Sequence, residues 1–502
     1  MFLTPQSRYA LDFYPGCLMI LDHDGDALFY APILNNVDSP YVNTRPFDFK
    51  VHANGWMSYA PKEGPNYSFY IMDSTFQVID TITCGNIDTD EHDLVITEDG
   101  HYHLICKGYS IADASGLTTA NGQPGSPNVS LVSNYVIELD ENKNQINSWY
   151  ALDHIPIEDV WNDFYVDYNY LDHVHTNSID FDLDSNYVIS NRNTCEVTKI
   201  DRQTGQVMWR LGGKGNQFQL IGDTIFFNAQ HHARIAPNGN LYLFDNARFD
   251  TQMISRYLEY ELDTVAMTAT RVREIQHPTG LNTAIMGNTQ LMDNGNVIIT
   301  WGGFLTDTYP ANVSEYDANN NIVMEVDFPY DCISYRVHKQ EVPFTLERPE
   351  ITCDDQTATL SAPAGHSTYE WSTGDTTQSI TVTSTGTYYV WVDHGIGFLR
   401  SNNVVVDQVD DLCLALSGIE PVEEQIGLFP NPSQDMVTIN VPRDLAGNWM
   451  LEIFDPAGRL IIKQEFRGQR LAEISLGERP SGIYLFRASN DEKSYSGRVL
   501  KP

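Results

Sequence analysis

The chain has 502 residues and a formal net charge of −37, from 67 acidic against 30 basic residues. That charge repels nucleic-acid phosphates and anionic lipid headgroups, and the length excludes a single small module while leaving room for two to four domains. Apolar residues are 42% and charged residues 19% of the chain, an ordinary globular balance that excludes global disorder.

The opening MFLTPQSRYALDFYPG has no basic start followed by an apolar core, so no secretory leader is visible as the chain is written. No window approaches the eighteen or so apolar residues of a membrane helix, so no membrane insertion is expected. Residues 17–32, CLMILDHDGDALFYAP, read as the outer half of a β-sheet. From there short β-branched and aromatic runs alternate with Asn-Gly or Asp-Gly turns, the signal for antiparallel strands. Hairpins fall at HANGWMSYAP (52–61), TEDGHYHLICKG (97–108), DLDSNYVISNR (182–192), APNGNLYLFDNA (236–247) and MDNGNVIITWGG (292–303). Each is followed by a strand, an Asp-centred turn and another strand, as in KIDRQTGQVMWRLGG, which makes four strands per unit. The turns recur every 45 to 56 residues, stretching to about 85 where a loop precedes Asn186. Four-stranded units of that period predict propeller blades. Five whole blades fit between about residues 45 and 329, and SYRVHKQ (334–340) supplies the inner strand of a sixth with the N-terminal piece. A closed ring has no open sheet edge.

The fold is therefore expected to be all-β: a six-bladed propeller over residues 1–345, an Ig-like sandwich over 349–412 and a small β-sandwich over 421–502. The seven cysteines show no CxxC or zinc-ligand spacing, so neither a disulfide framework nor a zinc site is indicated. Cys353 and Cys413 bracket the middle module and are a candidate pair. No HExxH, G-x-S-x-G or G-x-G-x-x-G is present. LGGKGNQ (211–217) reads as a blade-connecting turn rather than a phosphate loop, since no helix follows it. Asp180, Asp182, Asp184 and Asn186 have the alternate spacing of a calcium loop but lack its glycine and closing glutamate. No metal and no cofactor are expected.

The last module contains LFPNPSQDMVTINV, EIFDPAGRLI and ERPSGIYLFRASNDEKSYSGRVLKP. These phrases resemble the C-terminal sorting domain of type IX secretion. The resemblance implies export across both membranes by the type IX machinery, a secreted or surface-attached protein, and a leader upstream of the sequence as given.

Inner strands of a propeller converge on one axis, so equivalent positions on different blades meet. Counting back from the hairpin turns, His92, His175, His231 and Asn288 occupy nearly one structural position, in DEHDLVI, HVHTNSIDF, AQHHARI and MGNTQLM. With HTNSIDFDLDSNYVISNR, QHHARIAPNGNLYLFDN and GNTQLMDNGNVIITWGG, residues 88–340 resemble the arylsulfotransferase family. The resemblance implies a channel histidine that takes a sulfuryl group from an aryl sulfate and hands it to a phenol. By motif the catalytic set is His231 as nucleophile, with His175, His92, Arg192 and Asn177, while Arg234, Asn288 and Gln290 bind substrate. His232 stands where the family usually has Asp, and strand alternation lets only one of His231 and His232 face the channel. A neutral imidazole has a reactive lone pair at physiological pH. Fixed donors must meet the charge on the sulfuryl oxygens, and a second histidine can carry the phenol's proton. The expected activity is nucleotide-free sulfuryl transfer through a sulfohistidine. A non-catalytic propeller binding sulfated or phenolic ligands, or an aryl-sulfate hydrolase, are the alternatives.

Overall fold

A computed structural model describes residues 1–7, 16–22, 25–33, 45–63, 66–249, 254–304, 311–328, 332–340, 342, 344, 347–406, 427–429, 433, 435–441, 445, 448–455, 459–467, 471–477, 479–490 and 494–501. The chain divides into two compact units, one of residues 1–350, 362–378 and 389–402, the other of residues 351–361, 379–388 and 403–502.

The first unit is a β-propeller. Its blades are built on four-stranded antiparallel meanders, some with further strands added, and their inner strands are Pro46–Val51, Asp88–Ile96, Thr176–Phe181, His231–Ile235, Asn288–Leu291 and Cys332–His338. Each inner strand touches the next in this order, and the last touches the first, so the contacts close a ring. The hairpins form where the turn residues require: Gly55, Gly100, Gly239 and Gly295 all have positive φ, which glycine adopts without steric penalty. The closing blade pairs Cys332–His338 with Phe2–Ser7, then with Cys17–Leu21 and Ala27–Pro32. The Phe2–Ser7 strand was not expected, because Pro5 argues against a paired strand. Here Pro5 sits at a register shift beside Leu3, where the ladder is already interrupted.

Inner-strand bulges shape the centre. Register shifts occur at Phe47/Lys50, Thr176/Ser178 and His231/Arg234, and opposite Tyr335 and Arg336. Such bulges re-aim side chains. Asp48 and His232 have left-handed φ values of 51° and 57°, so the strict alternation expected at His231 and His232 does not hold. Both imidazoles are buried, and they enter different clusters.

The residues expected to form one Ig-like sandwich fall into both units. The physical reason is pairing: Gly397–Arg400 continues the closing blade through Phe29↔Leu399 and Tyr30↔Phe398, and Val390–His394 and Tyr369–Trp371 extend the same sheet. Tyr30 stacks on Phe398 at 5.1 Å and meets Trp391 edge-on at 4.8 Å. Gly397 permits that approach, since a Cβ there would lie 2.3 Å from the Tyr30 carbonyl oxygen. In the second unit a three-stranded sheet (Gly427–Phe429, Met436–Asn440, Leu471–Ser475) and a four-stranded sheet (Leu460–Arg467, Asn448–Phe454, Gly482–Ser489, Ser494–Lys501) share one core around Trp449, Leu451, Tyr484 and Phe486.

The cysteines correct one expectation. Cys84 and Cys106 form a disulfide that joins the connection between the first two blades to the second blade. Their separation of 22 residues follows no motif, and the meander brings their Cα atoms to 6.1 Å, within bridging range. Cys353 is also disulfide-bonded, and its candidate partner Cys413 lies outside the described residues.

Candidate functional site

The centre of the ring holds two separate polar clusters. The first contains His92, His175, His231 and Arg192. His92 lies in the inner strand of the second blade, and its Nδ1 is paired with the Asp90 carboxylate two residues before it. Burial, the largest single effect, pulls the pKa of His92 down, but the Asp90 charge and its hydrogen bond, with Glu91 adding, together raise it above the usual imidazole value. His175 precedes the inner strand of the third blade with φ of 52°, and its Nδ1 is 2.5 Å from Asp172 Oδ2. Asp172 is positioned by the short strand Tyr170–Asp172, which pairs in parallel with Val129–Leu139. The His92 and His175 rings meet edge-on at 4.8 Å.

His231 is 3% exposed. Its Nδ1 is 2.7 Å from Asn246 Oδ1 and 3.1 Å from the Ala229 carbonyl oxygen. The Asn246 amide donates to the carbonyl oxygens of Thr283 and Met286 at 2.8 and 3.1 Å, which fixes its oxygen toward the ring and assigns the proton to Nδ1. Nε2 therefore carries the lone pair, which receives one long contact, 3.3 Å from the Met286 N–H. Burial first, then the Arg192 charge, with His92 and His175 adding, holds the pKa of His231 well below the usual value. The imidazole is thus neutral and aimed.

Arg192 is 8% exposed. It donates to Asn193 Oδ1 at 3.0 Å and to the Ala284 carbonyl oxygen at 3.5 Å, while its Nε is buried without a partner. No carboxylate lies within ion-pair distance of it among the described residues. Burial, and then the neighbouring Arg248, lower its pKa to about 10, so it stays a cation at neutral pH. A buried guanidinium with an unsatisfied N–H is a ready anion ligand.

The second cluster pairs its charges within itself, although Arg336 Nε and His232 Nδ1 are buried without a hydrogen-bond partner among the described residues. Arg336, fully buried, donates to Asp48 at 3.0 Å and to the Asn177 carbonyl oxygen at 2.5 Å. Lys50 bridges Asp48 and Asp93 at 2.6 and 2.5 Å, and His338 Nε2 is 3.0 Å from Asp48. Arg234 is held by Asp93 at 2.8 Å and by the Ile179 carbonyl oxygen at 2.8 Å, so its guanidinium has partners within the fold. His232 lies here too, its ring 5.9 Å from His338.

The amides expected at the site serve the joints between blades. Asn177 donates to the Gln230 carbonyl oxygen at 2.8 Å and accepts from the His232 N–H. Asn288 exchanges two hydrogen bonds with the backbone of Val337, and Gln290 two with that of Lys339. Gln340 does the same with Val51. Each amide clips its own blade to the next one.

Other motifs resolve plainly. The Lys199 ammonium lies 2.5 Å from Asp182 and 2.7 Å from Asp184, occupying the place a calcium ion would take between them. Asp180 instead accepts from the Ile235 N–H at 2.7 Å. Asp90, Glu91 and His92 bring three metal-ligand atoms together, but Lys107 already sits 3.2 Å from Asp90 and 2.8 Å from Glu91. Lys214 of the Gly-rich turn donates to the carbonyl oxygens of Glu158 and Val160. It thereby ties down the 151–172 insertion, which packs its own small core around Leu131, Val160, Phe164 and Tyr165.

Sequence reasoning missed Asp90, Asp172 and Asn246. A carboxylate two or three residues before a candidate histidine was the readable signal for the first two. Asn246 carried none, because it lies fifteen residues from His231 on the next strand.

A family model described as arylsulfotransferase (ASST) matches residues 68–329, and one described as a secretion system C-terminal sorting domain matches residues 427–501. A comparison with curated proteins gave no match. Among solved structures, a protein of unknown function from Bacteroides caccae is similar at 11% identity, covering 66% of this chain and 97% of its own, with a TM-score of 0.40. A catalytically inactive virginiamycin B lyase from Staphylococcus aureus, solved with quinupristin, is similar at 10% identity, covering 73% and 96%, with a TM-score of 0.32.

Proposed function

Because the chain belongs to the arylsulfotransferase (ASST) family, we propose that it moves a sulfuryl group from an aryl sulfate to a phenol without a nucleotide, through a sulfohistidine at His231. Its sorting domain directs it through type IX secretion to the cell surface. The observation that carries the reading is the pairing of a neutral, oriented His231 with a buried Arg192 that has no carboxylate partner among the described residues.

In the first half-reaction the His231 Nε2 lone pair attacks sulfur and the bond from sulfur to the aryl oxygen breaks. The departing phenolate takes a proton from the imidazolium of His92, whose charged form the Asp90 carboxylate stabilises, or from His175, whose Nδ1 is hydrogen-bonded to Asp172. Arg192 meets the charge on the sulfuryl oxygens, a contribution of about 3 kcal/mol by analogy with other preorganised donors. In the second half-reaction the acceptor phenol returns its proton to the same imidazole, its oxygen attacks sulfur, and the bond from nitrogen to sulfur breaks. Two half-reactions sharing one covalent intermediate give ping-pong kinetics. Asn177, Asn288, Gln290 and Arg234 are proposed to support this site from behind, through the blade joints and the second cluster.

The test is incubation with a chromogenic aryl sulfate, with and without phenol, no nucleotide being added. Phenol-dependent release supports transfer, and release in water alone replaces it with hydrolysis. Mass spectrometry after donor alone should find one added sulfuryl group on the peptide carrying His231. His231→Ala should lose that adduct and about a thousandfold or more in rate. An adduct confined to another histidine would reassign the nucleophile.

A further inference from the structure

Beside Arg192 opens a cavity of about 280 Å³ whose lining includes Phe164, Tyr170, Asp163, Asp167 and Arg248. Ligand sites are commonly about 300–1,000 Å³, so this one suits a single aromatic ring with a short arm. Phe164 carries both cations: the Arg192 guanidinium lies 4.4 Å from its ring centroid and that of Arg248 5.8 Å. Neither has a carboxylate within ion-pair distance among the described residues, and the buried Nε of Arg192 has no partner. Two like charges are thus held over one ring with no ion pair among the described residues, the Asp172 carboxylate of the same lining acting on Arg192 from beyond that distance. Asp163 and Asp167 are exposed and supply negative charge to the same lining.

We propose that this cavity takes a one-ring phenol, or its sulfate ester, whose side arm carries both a carboxylate and an ammonium group, the pattern of an aromatic α-amino acid. The sulfate end lies on Arg192, the carboxylate on Arg248 and the ammonium on Asp163 and Asp167, with Phe164 and Tyr170 flanking the ring. Only the placing of the sulfate end rests on the function proposed above. Whole-molecule charge favours the same class of acceptor. A chain of −37 repels a phenol of net negative charge but not a zwitterion.

The test is titration calorimetry of the full chain at low salt with O-sulfotyrosine, with phenyl sulfate, and with the ester of 3-(4-hydroxyphenyl)propanoate, which keeps only the carboxylate. O-sulfotyrosine should bind about tenfold or more tighter than phenyl sulfate, a difference of about 1.4 kcal/mol, with the carboxylate-only ester between them. Arg248→Gln should bring O-sulfotyrosine to within about twofold of phenyl sulfate. The exposed pair Asp163→Asn and Asp167→Asn, which cannot disturb the core, should remove the advantage of O-sulfotyrosine over the carboxylate-only ester. Equal binding of O-sulfotyrosine and phenyl sulfate, or discrimination untouched by both sets of substitutions, overturns the assignment. Binding is read without turnover: a chain that discriminates but never transfers keeps this pocket and loses the proposed reaction, and one that transfers without discriminating does the reverse.

Discussion

Asn246 decides which nitrogen of His231 carries the lone pair. Asn246→Ala removes the acceptor at 2.7 Å and leaves the ring able to turn or change tautomer, so kcat should fall on the order of a hundredfold with KM nearly unchanged. Asn246→Asp is the more telling change. A carboxylate against Nδ1 favours the imidazolium, so the acid limb of kcat/KM should appear at higher pH than in the native enzyme, where burial and Arg192 keep His231 neutral well below the usual imidazole pKa. In the proposed mechanism the basic limb belongs to His92, whose pKa is raised by Asp90. If it supplies the leaving-group proton, the rate falls as pH rises through a value above about 6.5, and Asp90→Asn moves that limb down. A pH profile of each variant checks both. His92 and His231 were readable because equal offsets from an Asp-Gly and an Asn-Gly turn imply equal places on two blades, and His175 because it stands at nearly the same place before a longer Asp-rich turn. Asn288 stands at nearly that spacing for another reason, and Asn177 and Gln290 lie two residues beyond such positions on the same inner strands. A polar side chain on an inner strand can hydrogen-bond sideways to the next blade as well as face the centre, and spacing does not separate the two.

Bulged inner strands carry charge into a place where ordinary pleating would put apolar side chains. Arg336 shows the consequence. It is wholly buried and meets Asp48 and Asp93 at 3.0 and 3.5 Å, so Arg336→Met leaves carboxylates underbalanced in the core and should lower unfolding free energy by about 3–5 kcal/mol, measured in denaturant. Arg336→Lys keeps the charge but loses the bond to the Asn177 carbonyl oxygen, and should be intermediate. These bulges were not legible: a register shift leaves no mark on composition, and SYRVHKQ reads as a plain alternating strand. Hairpins with glycine at a positive-φ position were legible, since their turn chemistry is local. The Phe2–Ser7 strand was not, because Pro5 obscures its pattern and the strand with which it closes the ring, Cys332–His338, is remote in sequence. The Cys84–Cys106 bridge closes a loop of 22 residues and should contribute about 2–4 kcal/mol, seen as a lower melting temperature for Cys84→Ser with Cys106→Ser.

Across the first unit, several histidines are buried in their neutral form. Burial lowers His103 and His173 each to about 4 and His52 to about 3, and lowers His231 and His232 well below their ordinary value. An unfolded chain binds protons at these groups once pH falls below about 6.5, while the folded one does not. Stability is therefore full above that pH and lost as pH falls toward 4, with His103 and His173 each accounting for on the order of 3 kcal/mol over the window. The depressed carboxylates Asp48 and Asp93 add to the loss below about 4 as they protonate. Thermal melts should thus drop steeply between pH 6.5 and 4, and a melting temperature flat across that range would contradict the buried-neutral assignment. The ring itself is fastened by strands from opposite ends, Phe2–Ser7 lying against Cys332–His338. During synthesis the first of these can pair at once with Cys17–Leu21 on one edge, but its other edge waits until more than three hundred further residues have been made. A ribosome stalled anywhere in the first five blades would hold an open, unfastened arc.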